Sequence, residues 1–220
     1  MLEKAVLTPP SKKRRMKKAV LTPPNKKRRM KKLGELVFYL IPHFVLGGEI
    51  IEELKLYRIN EIYAKYIYNH EEKILKAFHS KSRRPFVGII FNINEINYFA
   101  PLSSPKPKHK DMKNNIDFIK INNGRDGVIN LNNMIPIPKE YCYEINVKEE
   151  MIKDKKYGII LKYQIKWCNE NKEKIISKAQ KIYYLITNNK ANLNLKQRCC
   201  DFKSLEKCLN QFILNREKSE

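Results

Sequence analysis

An α+β fold is the prediction for this chain of 220 residues. Three observations lead to it. Strand-like alternation is concentrated between residues 55 and 131, while helical spacing dominates beyond Lys148. Strands gathered first and helices later argue a sheet with helices segregated from it, not an alternating α/β winding. The apolar share of 42% is that of an ordinary folded protein, and the length suits one domain.

Each element has its own reason. Residues 55–62 alternate loosely and suit a strand. From Glu61 to Ala77, Ile, Tyr and Leu recur among charges at helical spacing, so a short helix is expected. Residues 85–93 and 96–102 read as two strands joined at Asn94-Glu95. Residues 117–122 and 127–131 form a second hairpin around Asn123-Gly124-Arg125-Asp126-Gly127, and Pro136 and Pro138 are expected to end the sheet-forming part. Tyr157 to Cys168 and Lys172 to Thr187 each place apolar residues on one helical face, with Trp167 expected in the helical core. Asp201 can cap a last helix through Phe212, with Ser204 and Glu206 in its first turn.

The formal charge of +22 points to a polyanionic partner. It is unevenly spread. Residues 1–32 carry 13 Lys and Arg against one acid, and residues 33–53 carry four acids and no base. Residues 54–220 hold 32 bases and 18 acids, a net of +14, so the body is basic on its own account. A lysine-rich composition with solvated charge is the competing explanation.

Residues 4–17 and 18–31 are a tandem repeat of fourteen residues with one change, Ser11 to Asn25. Each copy has two adjacent prolines and little to bury, so residues 1–53 are expected to be a disordered basic extension ahead of a domain at 54–220. The KKRR clusters admit three protein-level readings: an arm on RNA, a nuclear-localisation-like patch, or the charged start of a signal peptide. The apolar run Leu36 to Leu46 is too short to span a membrane and is interrupted by Pro42 and His43, so secretion and membrane insertion are not expected. Five cysteines without CxxC or metal-ligand spacing read as reduced thiols of a cytoplasmic protein, with no cofactor or metal implied.

The most informative stretch is Tyr98-Phe99-Ala100-Pro101-Leu102-Ser103-Ser104-Pro105-Lys106-Pro107-Lys108-His109-Lys110. A strand ends in a proline-stiffened loop, expected in extended or turn conformation, that carries two hydroxyls, three lysines and a histidine. Those residue types suit a polyanion: lysine as point charge, serine as neutral donor and acceptor, histidine as a titratable nitrogen. Lys108, His109 and Lys110 are candidate RNA contacts, and Phe78 a candidate base-stacking residue. His109 is also a candidate acid or base, although a lone loop histidine is more often simply exposed.

This stretch resembles the core motif of the ToxN/AbiQ family, the endoribonuclease toxins of type III toxin–antitoxin systems. Lys55-Leu56-Tyr57-Arg58-Ile59 is similar to the family's first strand, and Arg84-Pro85-Phe86-Val87-Gly88-Ile89-Ile90-Phe91 to the strand leading to its active-site loop. Gly127-Val128-Ile129-Asn130-Leu131-Asn132-Asn133-Met134-Ile135-Pro136-Ile137 resembles its later Asn-Leu and Met-Ile-Pro strand. The resemblance implies a compact antiparallel sheet related to the Kid/MazF toxins, flanked by helices. It implies a metal-independent, sequence-specific endoribonuclease that cuts adenine-rich single strands to 2′,3′-cyclic phosphate and 5′-hydroxyl ends. It further implies inhibition by a repeat pseudoknot RNA that the toxin processes, a closed assembly of three toxins and three RNAs, and a role in phage defence.

By the same resemblance Lys106 matches the active-site lysine, Ser103 and Ser104 the hydroxyl pair before it, and Arg84 a basic position before the Pro-Phe step. Relatives carry a tyrosine upstream of that basic residue, where Phe78, His79 and Ser80 stand here. The family's antitoxin genes are tandem nucleotide repeats upstream of the toxin, so residues 1–31 are also readable as such repeats translated in frame, with the toxin starting near Leu54. Abundant peptides from Ala19 to Met30 in the native protein would count against that. The alternative function is a non-catalytic basic nucleic-acid-binding protein.

Overall fold

The computed structural model describes residues 53–218 apart from 72, 75–83, 94 and 114, with the backbone alone at Ile89. The repeat extension and Phe78, His79 and Ser80 lie outside the described residues. Among the described residues the fold is an open antiparallel sheet with helices, as the alternation and the later helical spacing predict.

Strand β1 (Lys55–Ile59) leads into helix α1 (Glu61–Tyr68), whose first turn is capped by the Asn60 side chain accepting from the Ile62 amide at 2.8 Å. This helix is shorter than the expected run to Ala77. Asn69 ends it, and Tyr63 and Ile67, four residues apart, carry its buried face. Strands β2 (Phe86–Ile93) and β3 (Ile96–Ser103) form the expected hairpin, turning through Glu95 in left-handed backbone (φ 67°), whose amide donates to Asn92 Oδ1 at 3.0 Å.

The chain past β3 departs from expectation. Lys106 is the extended N-cap of a one-and-a-half-turn helix, α2 (Pro107–Asp111). Proline at the first helical position has no amide to waste and a φ already helical, so the proline that seemed to forbid a helix starts one. Strands β4 (Phe118–Lys120) and β5 (Val128–Asn130) pair as the second hairpin around a 3₁₀ turn at Ile121–Gly124. After β6 (Ile135–Pro136) the sheet does not end at Pro138. Strand β7 (Cys142–Glu144) returns to pair with β1, so the order is β4-β5-β3-β2-β1-β7 with β6 also on β3. The two prolines locally cost ladder donors, and β7 is an edge strand, where short and polar sequence suffices.

Five helices follow: α3 (Val147–Lys153), α4 (Lys155–Glu170), α5 (Lys172–Thr187), α6 (Leu193–Arg198) and α7 (Phe202–Glu217). Only α4, α5 and α7 were anticipated, since α3 and α6 have too few turns for a periodic signal. Asp201 caps α7 as expected, accepting from the Ser204 amide at 3.0 Å. Residues Tyr98 to Leu102 of β3 are buried without interruption, which marks the centre of the core. There Tyr98, Phe91, Tyr183 and Phe202 pack ring on ring, and Glu206 accepts from the hydroxyls of Tyr98 (2.8 Å) and Tyr183 (2.6 Å). Each large side chain buried this way contributes about 1.5–3 kcal/mol. This core holds the end of β3 still.

Candidate active-site cleft

The end of β3 is fixed from three sides. Leu102 donates its amide to Pro85 O at 2.9 Å, and the β2–β3 register pairs Phe86 with Pro101. Continuing that antiparallel register by two residues sets Arg84 opposite Ser103. On the other side Ser103 pairs with Val128 of β5, and Asn130 Nδ2 donates to Ser103 Oγ at 3.0 Å. With its oxygen already accepting, the Ser103 hydroxyl keeps its own proton to donate. Beneath, the buried Gln164 of α4 donates Nε2 to Asp126 O (2.8 Å) and Ser103 O (3.4 Å). Gly127 allows this approach: its φ is +104° and a Cβ there would lie 2.0 Å from Ser103 O.

Arg84, Ser103 and Ser104 face one open cleft of 1430 Å³. That is larger than a typical small-molecule pocket, and its openness suits a chain. Burial lowers the Arg84 pKa and Tyr68 opposes this, which leaves the guanidinium charged. Burial pushes the Tyr68 phenol far above its usual range, with Arg84 pulling the other way. Tyr68, itself upstream of Arg84, thus lies within electrostatic reach of it, whereas Phe78, His79 and Ser80 stand where the resemblance implies a tyrosine.

The lining also carries residues whose function the sequence did not suggest. Arg58 of β1 donates Nη1 (3.2 Å) and Nη2 (2.7 Å) to the carboxylate of Glu150 on α3, and Lys153 Nζ is 3.7 Å from the same group. The hydrogen bond from Arg58 holds the Glu150 carboxyl below the usual carboxylate range. Asn60 Nδ2 donates to Tyr143 Oη at 2.7 Å, and Tyr157 opens onto the cleft from the first turn of α4. Glu61 and Asp154 also line it, the latter with an oxygen engaged by the Tyr157 amide at 3.0 Å. The lining therefore carries cations and acids in equal number. No signal short of the fold would have gathered Arg58 and Glu150, which are 92 residues apart.

Lys106 is not part of the cleft lining. It stands exposed two residues past Ser104, at the start of α2, with its carbonyl accepting from the His109 amide at 2.9 Å. Lys108 and Lys110 are exposed. His109 corrects expectation. The residue is 3% exposed and its carbonyl oxygen lies close under Gly124, so it is not an exposed loop residue and offers no open face on which a base can stack. Its Nδ1 is buried without a hydrogen-bond partner among the described residues, and burial, then Lys106 and Lys108, lowers its pKa. A neutral, covered imidazole is a packing element of α2. The structure thus brings Arg84, Ser103 and Ser104 together, places Lys106 next along the chain, and withdraws His109.

Comparison with known proteins identifies a family. The family model described as "Toxin ToxN, type III toxin-antitoxin system" matches residues 55–210. Endoribonuclease ToxN of Bacillus thuringiensis subsp. kurstaki is 32% identical over 160 residues, covering 70% of this chain and 82% of that protein. Endoribonuclease ToxN of Pectobacterium atrosepticum is 28% identical over 175 residues, 76% of this chain and 98% of that one. A solved structure reported for selective toxin inhibition by a non-coding RNA pseudoknot in a type III system has a TM-score of 0.62 at 30% identity. It covers 73% of this chain and 98% of its own.

Proposed function

The chain belongs to the ToxN family of type III toxin–antitoxin toxins and is an endoribonuclease, and from that premise we propose how it cuts. The cleft takes a single strand of RNA with the scissile phosphate between Arg84 and the two serines. The observation that carries this reading is the register that sets Arg84 opposite Ser103 on the wall of one open cleft, with Ser104 the next residue.

A base removes the 2′-hydroxyl proton, and the 2′-oxygen attacks phosphorus. The P–O5′ bond breaks, and the leaving oxygen takes a proton. The products are a 2′,3′-cyclic phosphate and a 5′-hydroxyl. Arg84 clamps the non-bridging oxygens bidentately, and Ser103 and Ser104 donate hydroxyl hydrogen bonds to them. Lys106, on a flexible stem beside Ser104, stabilises the extra charge of the phosphorane or transfers a proton.

The same reading extends to adenine-rich substrates, to inhibition by a repeat pseudoknot RNA that the enzyme processes, and to a closed assembly of three toxins with three RNAs. It includes phage defence in the cytoplasm and a sheet related to those of Kid/MazF toxins. The solved neighbour's pseudoknot inhibitor supports the RNA partner. Lys108 and Lys110, exposed on α2, would add phosphate contacts.

The test is a map of cellular RNA 5′ ends after brief expression of the chain and of Lys106→Ala. New 5′-hydroxyl ends at a shared motif, lost by about a hundredfold or more in the variant, are expected. New ends undiminished in the variant would move catalysis away from Lys106. No new ends in either would leave only binding.

A further inference from the structure

A second, smaller pocket lies apart from the cleft, and nothing in the chemistry above uses it. It measures 220 Å³, room for one nucleobase and far too little for a duplex. Trp167, the chain's one tryptophan, lines it together with Lys120, Asn122, Asn123, Lys174 and Lys178. Among the described residues no acid lines it, although Asp117 lies within electrostatic reach of Lys178 and Asp126 holds Asn122.

The sequence placed Trp167 in a helical core. In the fold the ring is only half-buried: it packs against the core on one side and opens to this pocket on the other. Lys174 Nζ stands 6.0 Å from the ring centroid, within cation–π reach. Asn122 and Asn123 both have left-handed backbone, φ 48° and 55°, a conformation asparagine tolerates better than most residues. The Asn122 amide is occupied by Asp126 (2.9 Å) and Arg125 (2.9 Å). The exposed Asn123 amide makes no hydrogen bond among the described residues, so it offers both a donor pair and an acceptor. Lys120 and Lys178 each give a proton to a backbone carbonyl, of Lys110 (2.7 Å) and Asn115 (3.1 Å), and each ammonium has two more to give.

The pocket is tied to the cleft by two short links. Trp167 follows Gln164 by three residues on α4, a rise of about 4.5 Å, and Gln164 holds the Ser103 carbonyl. The turn bearing Asn122 and Asn123 packs on α2, where a Cβ at Gly124 would meet His109 O at 2.5 Å. A flat aromatic face, an unspent amide and cations are the parts that grip one unpaired nucleotide.

We infer that this pocket is a nucleotide subsite for single-stranded RNA, with one base stacked on Trp167 and met at its edge by Asn123, and the flanking phosphates on Lys174 and Lys178. It rests on the RNA-cleaving reading above and adds to it a grip outside the cleft, one that sets where along a strand the scissile phosphate falls.

The test uses the full chain and a short 2′-O-methyl oligoadenylate, which lacks the attacking hydroxyl and so stays intact. Binding is followed in two ways: anisotropy of a fluorescein-labelled strand, and emission of the lone tryptophan with an unlabelled strand. Expected are a saturable change in Trp167 emission over the concentrations at which anisotropy rises, and an affinity loss on the order of tenfold in Trp167→Leu, with Trp167→Phe much closer to the parent. Lys174→Ala, an exposed change that leaves the core alone, should flatten the salt dependence by about one phosphate contact. Saturable anisotropy with unchanged tryptophan emission, and Lys174→Ala binding like the parent, would overturn the subsite while leaving the RNA reading intact. An absence of any strand binding would sink the RNA reading itself, and the subsite with it.

Discussion

At Gly127 the backbone sits at φ +104° and any Cβ would press on the Ser103 carbonyl oxygen. Gly127→Ala therefore faces both a strained backbone and a clash with main chain that cannot rotate away. We expect it to lower stability by more than about 1 kcal/mol and to lower cleavage further, because the displaced atom belongs to Ser103, which we propose contacts the scissile phosphate. Thermal unfolding and single-turnover cleavage would measure the two. His109 gives a second residue-level prediction. Burial, then Lys106 and Lys108, hold its pKa below the ordinary histidine value of about 6.5, so the native state binds fewer protons than the unfolded chain as pH falls. Its contribution is whole above about pH 6.5 and is lost on acidification below that value. In His109→Gln the fall in melting temperature between about pH 7.5 and pH 5 should be visibly smaller than in the parent. An identical fall would place the titration elsewhere.

Between elements, β3 is held to α5 and α7 by one buried carboxylate. Glu206 accepts from Tyr98 and Tyr183 and pairs with Lys203 Nζ at 2.8 Å. Removing it takes the shared acceptor from two hydroxyls in the aromatic core and leaves Tyr98 only a 3.5 Å contact with Phe202 O. Glu206→Ala should cost about 2–5 kcal/mol, and Glu206→Gln less, since the amide oxygen still accepts; denaturant unfolding of both would tell. The elements also show what local pattern can reveal. The β2–β3 hairpin was legible because alternation and its turn are properties of neighbouring residues, and the Asp201 cap because its partner is three residues away. Helix α2 was misread because prolines were counted as breakers, whereas Pro107 occupies the one helical position that welcomes it. Strand β7 was missed because three residues ending in an exposed pair carry no periodicity, and only β1 makes them a strand.

Across the whole molecule, charge and partner go together. A net of +14 on residues 54–220 implies that strand binding is largely counterion release. Log affinity for single-stranded RNA should fall with log salt by about 0.7 for each phosphate contacted, and Lys108→Ala or Lys110→Ala should each flatten that slope by about 0.7. A slope near zero would contradict phosphate binding altogether.

By itself the sequence determined the fold class, the basic character and the Ser103-Ser104-Pro105-Lys106 step, because composition, periodicity and contiguous motifs need no partner beyond a few residues. Tertiary structure alone decided that the β2–β3 register, extended by two residues, brings Arg84 across from Ser103, that Gln164 holds Ser103 from 61 residues away, and that Arg58 meets Glu150 in the same cleft. It also turned His109 inward and opened one side of Trp167 to a pocket. The physical reason is common to all five. Each is a contact or a burial between distant segments, whose energy exists only once the chain entropy of bringing them together has been overcome by the core around β3.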